Sequence, residues 1–170
     1  MSHPLVIALF DSPASAAAAA RALHALGIAR EQISVVAQNH DEEGALAEQW
    51  DATPGAEVED SRAAARLGEL GAQVLAAIAV VMPGIGPIVA AGPLSAGLGE
   101  AAGHVAGGVA SVLSSAGVPH DRAEALQREV ERGAILLGVH LRDGRVPQVE
   151  AALNEAGARS IDIVNWRGAP

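Results

Sequence analysis

The 170-residue chain contains neither cysteine nor lysine. The absence of cysteine excludes disulfides, thiolate nucleophiles and sulfur-ligated metal sites. All eleven basic residues are arginine, which excludes Schiff-base catalysis by lysine and the lysine of a phosphate-binding loop. Aromatic residues are also scarce, with one Phe, two Trp and no Tyr. The core must therefore be built almost entirely from aliphatic side chains.

Negative charge is confined to one part of the chain, although the formal net charge is -9. Residues 40–61 hold eight acidic side chains and no basic one, whereas the remainder holds twelve acidic and eleven basic side chains. A nearly neutral body without a basic cluster argues against nucleic acid as a partner, because phosphate neutralisation supplies most of that affinity. We predict that residues 40–61 form an acidic flexible linker.

Residues 70–99 lack charged side chains altogether. Such a segment must be buried in its own fold, in a partner or in lipid. Small residues recur every four positions on both sides of a Pro/Gly break, and this spacing predicts two closely packed helices, at 61–82 and about 94–115. The residues of this predicted interaction hairpin are Gly68, Ala72, Ala76, Pro83, Gly84, Ile85, Gly86, Pro87, Gly99, Gly103 and Gly107.

The larger apolar residues of the predicted hairpin lie away from its small-residue faces and need a second apolar surface. Packing against the sheet or within an oligomer is the favoured interpretation. A membrane-spanning hairpin is disfavoured, because the apolar stretch directly before Pro83, residues 71–82, is only twelve residues long. A membrane-spanning helix needs roughly 20. Reversible exposure to membranes or to unfolded protein is the remaining alternative.

Two βαβ units flank the uncharged segment. In the first, Ser12 and Pro13 signal a helix start after an apolar run, and Gly27 signals the helix end. The second unit repeats this order and follows a polar amphipathic helix at 119–132. The predicted strands are 5–10, 33–37, 134–141 and 161–164, and the predicted helices of the two units are 14–26 and 147–156.

We therefore predict an α+β fold, a ferredoxin-like split βαβ sheet carrying an inserted Gly/Ala-rich helical hairpin. The first and third predicted strands would be central, and the second and fourth would be edges. The predicted domain organisation comprises 1–39 as the first half of the sheet domain, 40–61 as the linker, 62–117 as the hairpin, and 118–170 as a helix plus the second half.

No catalytic or metal site emerges from the sequence. Glu100 and His104 stand one helical turn apart, but no second pair accompanies them. His140 is more readily a surface or satisfied core residue than a base. The glycine cluster at 97–103 follows no predicted strand, which favours helix packing over dinucleotide binding. We expect Trp166 to cover apolar surface, and we expect a non-enzymatic protein without a cofactor.

Several motifs together resemble a known family. They are Pro83-Gly84-Ile85-Gly86-Pro87, Ala90-Ala91-Gly92-Pro93-Leu94, and Gly117-Val118-Pro119 before a charged helix that ends at Gly133. With the Gly/Ala-rich segment between them, they resemble the bacterial general stress protein 17M-like and low-temperature-induced protein family over nearly the whole chain. The resemblance implies a stress-induced, non-enzymatic protein, and it supplies no catalytic residues.

The expected function is therefore a bacterial response to heat or general stress, exerted through protein or peptide contacts and self-association of the hairpin. One alternative is a peripheral membrane protein that inserts the hairpin into lipid. Another is a small-ligand sensor on the ferredoxin-like sheet, by analogy with what such sheets often do. A cytoplasmic location is expected, because the apolar run at 5–10 is too short for a signal core.

Overall fold

The structure is a computed structural model that describes residues 3–38, 77–82, 86–102 and 108–167. Within these ranges the fold is α+β, with six strands in one antiparallel sheet. The strands are β1 Pro4–Phe10, β2 Ile33–Gln38, β3 Ala77–Met82, β4 Gly86–Ala91, β5 Ile135–His140 and β6 Ser160–Asn165. The helices are α1 Pro13–Ala25, α2 Pro93–Ala102, α3 Val109–Ser115, α4 His120–Glu131 and α5 Val146–Glu155.

Local sequence signals explain where α1 begins and ends. Ser12 is extended and its hydroxyl accepts a hydrogen bond from the backbone N–H of Ser15 at 3.2 Å, while Pro13 occupies the first turn. Both residues suit a helix start, because the hydroxyl satisfies a free N–H and proline has none to satisfy. Gly27 then reverses the chain at φ 80°, a conformation that favours glycine. The Ser12 and Gly27 signals therefore predicted this helix correctly.

The order of strands in the sheet is β3-β4-β2-β5-β1-β6, and every neighbouring pair is antiparallel. Among the four strands of the two flanking units, β2, β5, β1 and β6, the central ones are β5 and β1. β6 is a terminal strand of the whole sheet. The prediction that the second strand is an edge is wrong, because β4 pairs with β2 along Val35↔Ala91 and Gln38↔Ile88. Interior placement also suits its composition, since five of the six residues of β2 are buried.

The predicted first helix of the hairpin is also corrected by the structure. Its final residues, 77–82, form β3, and the last two residues of the Pro/Gly break, Gly86 and Pro87, begin β4. Ile78, Val80 and Val81 are β-branched, so they lose side-chain freedom in a helix and fit a pleated strand. Because both a buried helix and a buried strand are apolar throughout, hydrophobicity alone did not distinguish them.

The second predicted helix, 94–115, is divided into α2 and α3. Gly108 precedes α3 with an extended backbone, φ -133° and ψ 176°, which interrupts any continuous helix. The side-chain carbonyl of Gln127, on α4, accepts a hydrogen bond from the N–H of Ala110 at 2.9 Å. This bond satisfies one of the free N–H groups at the start of α3. Where α2 meets α3, a Cβ on Gly97 would lie 3.0 Å from Val112, so the two helices approach closely there.

The members of the predicted interaction hairpin fall into three groups. Gly86 and Pro87 belong to β4, and Gly99 belongs to α2. The others lie outside the described residues: Gly68, Ala72, Ala76, Pro83, Gly84, Ile85, Gly103 and Gly107. The helical seam along these residues is therefore not seen in the described part of the chain, where a β-hairpin and two helices stand instead.

Helices cover the sheet on both faces. On the first face, α1 and α5 bury Val6, Ala8 and Phe10 of the central strand. On the second face, α2, α3 and α4 bury the alternate residues Leu5, Ile7 and Leu9. Because successive side chains of a strand point to opposite faces, the continuous apolar run of β1 supplies both cores.

The turn from β4 into α2 requires glycine. Gly92 has φ 80°, and a Cβ built there would lie 2.1 Å from the carbonyl oxygen of Ile33. Both the backbone conformation and the space therefore exclude a side chain. This close approach brings the start of α2 directly onto β2.

We predict that Gly92→Ala lowers the free energy of unfolding by at least about 2 kcal/mol, through backbone strain and displacement of β2. Gly144→Ala is the matched control, because a Cβ there meets nothing within 4 Å, and it should change stability by less than about 0.5 kcal/mol. Urea denaturation followed by circular dichroism measures both. If Gly92→Ala and Gly144→Ala were equally stable, the close approach of Gly92 to Ile33 would be contradicted.

Candidate functional site: a buried serine–histidine link

Two polar side chains are buried in the second face of the sheet, Ser34 at 0% exposure and His140 at 5%. Ser34 lies on β2 opposite Gly138 of β5. His140 follows Gly138 by two residues and therefore lies on the same face. A side chain at position 138 would crowd Leu94 of α2, since a Cβ there would lie 3.1 Å from Leu94 Cδ1. Gly138 thus leaves room for α2 beside the two polar groups.

A chain of hydrogen bonds joins α2, β2 and β5. The backbone N–H of Leu94 donates to Ser34 Oγ at 3.1 Å. Ser34 Oγ in turn lies 3.1 Å from His140 Nε2. Since the hydroxyl oxygen already accepts from Leu94, its own proton is free to go to Nε2. When the hydroxyl donates to Nε2, the neutral imidazole carries its own proton on Nδ1.

Aromatic contacts close the site on its other side. The ring of Trp166 meets that of His140 edge to face, with centroids 4.6 Å apart and an interplanar angle of 85°. The ring of His3 lies 6.2 Å from that of His140, and the backbone N–H of Trp166 donates to the carbonyl oxygen of His3 at 2.8 Å. Trp166 packs on the second core, as expected from the sequence.

The electrostatic state of His140 follows from this setting. Burial, with a smaller contribution from the positive charge of His3, lowers the pKa of His140 to about 4. Removing an imidazolium from water is costly, so the neutral ring is favoured. At neutral pH the ring therefore carries no charge and can accept the hydroxyl proton of Ser34.

Serine hydrogen-bonded to a neutral histidine is also the first half of a nucleophile–base pair. A nucleophile must reach its substrate, however, and Ser34 has no exposed surface. Leu94 and Leu98 of α2, both 1% exposed, belong to the same core. The geometry favours a structural link between α2 and the sheet rather than a reaction centre.

Sequence reasoning did not identify this link. The sequence places Ser34 in a strand predicted to be an edge, and it predicts His140 to be a surface or satisfied core residue rather than a base. The sequence did contain a signal for it, because Ser34 is the only polar residue of predicted strand 33–37 and His140 is the only polar residue of predicted strand 134–141. In the sheet predicted from the flanking units those two strands are neighbours. The contribution of Leu94 depends on tertiary structure and had no sequence signal.

Two other candidates from the sequence are Glu100 and His104. Glu100 lies in α2, and His104 lies outside the described residues. Among the described residues, no group of three or more His, Asp or Glu side chains could hold a metal ion. In the same part of the chain, no helix combines the length and apolar character needed to cross a membrane.

Comparisons with protein-family models, with curated proteins and with solved structures gave no match to this chain. The resemblance to general stress proteins therefore stays a prediction from motifs. The function has to be argued from the structure itself.

The pKa of His140 predicts how stability depends on pH. The folded-state pKa of about 4 lies below the ordinary value of 6.5, so the unfolded chain takes up the proton first as pH falls. Stability is therefore lost between pH 6.5 and pH 4. From pH 7 to pH 4 the wild type should lose about 3 kcal/mol more than a His140→Gln variant, which cannot take up this proton.

Urea denaturation at several pH values measures this difference. Glu129 and Asp143 also have lowered pKa values, chiefly because of hydrogen bonds from Arg159 and Arg145, but they are common to both proteins and cancel. His120→Gln is the matched control, since the side chain of His120 is 74% exposed. If the free energy of unfolding fell equally with pH in the wild type and in His140→Gln, the lowered pKa of His140 would be contradicted.

Proposed function

We propose that this chain is a non-enzymatic interaction protein that self-associates through the outer edge of β3. The observation that carries the proposal is the position of β3, which is the terminal strand of the sheet and contains no charged residue. Among the described residues, no strand pairs with its outer edge. An edge of this kind presents unpaired backbone N–H and C=O groups to a further strand.

We also propose that the core of the protein is a ferredoxin-like sheet. Without β3 and β4, the strand order is β2-β5-β1-β6 with antiparallel neighbours. Helices α1 and α5 connect β1 to β2 and β5 to β6, and both lie on the same face. These features support two interleaved βαβ units. In this description β3, β4 and the three helices that follow form an insertion that extends the sheet and covers its second face.

The two ends of the sheet differ in how they are protected. On β6, Asp162 forms a bidentate ion pair with Arg122 of α4. The distances are 2.8 Å from Arg122 Nε to Asp162 Oδ1 and 2.6 Å from Arg122 Nη2 to Asp162 Oδ2. A charged residue in an edge strand discourages pairing with another chain. The sequence Ala-Ile-Ala-Val-Val-Met of β3 has neither a charge nor a proline. Of the two terminal strands, β3 is therefore the better site for strand addition.

A second copy of this chain is the occupant that this edge fits best. When β3 pairs with itself in antiparallel fashion around a twofold axis, uncharged residues face uncharged residues and no like charges are opposed. The two sheets then continue as one. An extended client polypeptide would use the same backbone groups, but nothing in the described residues selects a client. We assign this association to a bacterial stress response on the family resemblance alone.

The two alternative functions, a small-ligand sensor and a peripheral membrane protein, have less support from the fold. A sensor that binds its ligand on the sheet needs an open face, whereas β1 and β5 are buried on both faces by helices. A peripheral membrane protein would insert the predicted helical hairpin, but the described part of that segment holds a β-hairpin. Strand pairing is the association that this arrangement of backbone groups favours.

Adjacent proline substitutions test the edge. Successive N–H groups of a strand point to opposite sides, so in Ala79→Pro and Val80→Pro one variant loses an outward N–H and the other an inward one. The outward variant should remain folded and become monomeric, because only the contact between copies is broken. The inward variant should lose a bond to β4 and be destabilised.

Size-exclusion chromatography with light scattering, combined with circular dichroism, measures both outcomes. Ile163→Lys on β6 is the matched control, since Ile163 is 49% exposed at the protected edge, and it should leave the mass unchanged. A wild type that is monomeric at all concentrations would contradict the proposal. A dimer that survives both proline substitutions would do the same.

A further inference from the structure

The amino-terminal end of α2 is capped from a different element. The first N–H groups of a helix have no partner within it, and a side chain just before the helix usually supplies one. Here the preceding residue is Gly92, which has no side chain, and Pro93 has no N–H. Ser34 of β2 takes this role by accepting from the N–H of Leu94. The start of α2 therefore depends on a hydroxyl that belongs to the sheet.

While His140 is neutral, the hydroxyl of Ser34 can accept from Leu94 and donate to Nε2 of His140 at the same time. A hydroxyl has one proton to donate and two lone pairs that accept. If Nε2 takes up a proton, it becomes a donor, and the Ser34 proton loses its acceptor in a site with no exposed surface. A buried donor without a partner is strongly disfavoured.

The surroundings add to the cost of a charge on His140. The positive end of the α2 dipole points toward the site, and a cation is unfavourable at a helix amino terminus. The groups around His140 are Ser34 and Gln32 from the β2 side, Leu5 opposite on β1, the backbone of Leu94, and the rings of Trp166 and His3. The positive charge of His3 would repel that of His140.

We propose that the Ser34–His140 pair is a proton-sensitive latch that holds α2 on the sheet, and that protonation of His140 releases α2 while α1 and α5 stay in place. Release is confined to the second face of the sheet, where α2 packs on β2, β3 and β4 and on α3. Helices α1 and α5 belong to the other core. The apolar surface beneath Leu94 and Leu98 would then be uncovered in acid. The latch does not depend on pairing at the β3 edge.

Hydrogen–deuterium exchange of the full chain tests the latch segment by segment. Exchange rates at pH 7 and pH 5 are corrected for the intrinsic effect of pH, and peptides covering 93–102 are compared with peptides covering 146–155. Linkage to one proton predicts that the opening of α2 rises on the order of tenfold at pH 5. The α5 peptides should keep a higher opening free energy than the α2 peptides at both pH values.

Variants separate the latch from a general loss of stability. His140→Gln should abolish the pH effect on α2, since its amide oxygen can accept from Ser34 and does not titrate. His120→Gln should retain the pH effect. Ser34→Ala should loosen α2 already at pH 7, because the cap is lost, and should leave α5 protected.

Nuclear magnetic resonance of the imidazole provides a readout that needs no variant. The ¹⁵N shifts should show the proton on Nδ1 at pH 7, and the midpoint of His140 titration should coincide with the midpoint of α2 opening. Three results would overturn the proposal: α2 exchange unchanged between pH 7 and pH 5, α2 and α5 opening with the same free energy, or the same pH effect in His140→Gln.

Discussion

The pairing of β2 with β4 is the constraint on which the rest of the structure depends. It turns the uncharged segment back along the sheet, so that β3 becomes the terminal strand. It also brings Gly92 against Ile33, and from there α2 begins directly over Ser34. The pairing of β2 with β4 therefore leads both to the free edge of β3 and to the buried polar link. Both follow from placing an uncharged β-hairpin beside β2.

The second face of the sheet combines an apolar core with a buried polar link. Apolar packing has little directional preference, whereas the N–H of Leu94 and the hydroxyl of Ser34 must meet at a defined distance and angle. The hydrogen bond therefore fixes where α2 starts, and the leucines of α2 supply the buried area. Because the acceptor of the Ser34 proton is an imidazole, this contact depends on proton concentration, which purely apolar packing does not.

The sequence allowed most of the fold outside the uncharged segment to be predicted. α1, α5 and the strands of the flanking units carry local signals such as Ser12 and Gly27, which act through the backbone of their own neighbours. β3 and β4 carry no such signal, because a run that is apolar at every position shows neither a period of two nor one of 3.6. Pairing with β2 decides their structure. The link was missed for the same reason, since Ser34 and Leu94 meet only after that pairing.

The missing cysteines offer a direct measurement of the central claim, that two copies pair through β3. A single cysteine introduced at Val80 would be the only thiol in the chain. A twofold antiparallel pairing of β3 brings the two copies of residue 80, near the middle of this strand, within crosslinking reach. Mild oxidation of Val80→Cys should yield a covalent dimer at low protein concentration, whereas Ile163→Cys on β6 should remain monomeric. Equal crosslinking at the two edges, or none at position 80, would contradict the account.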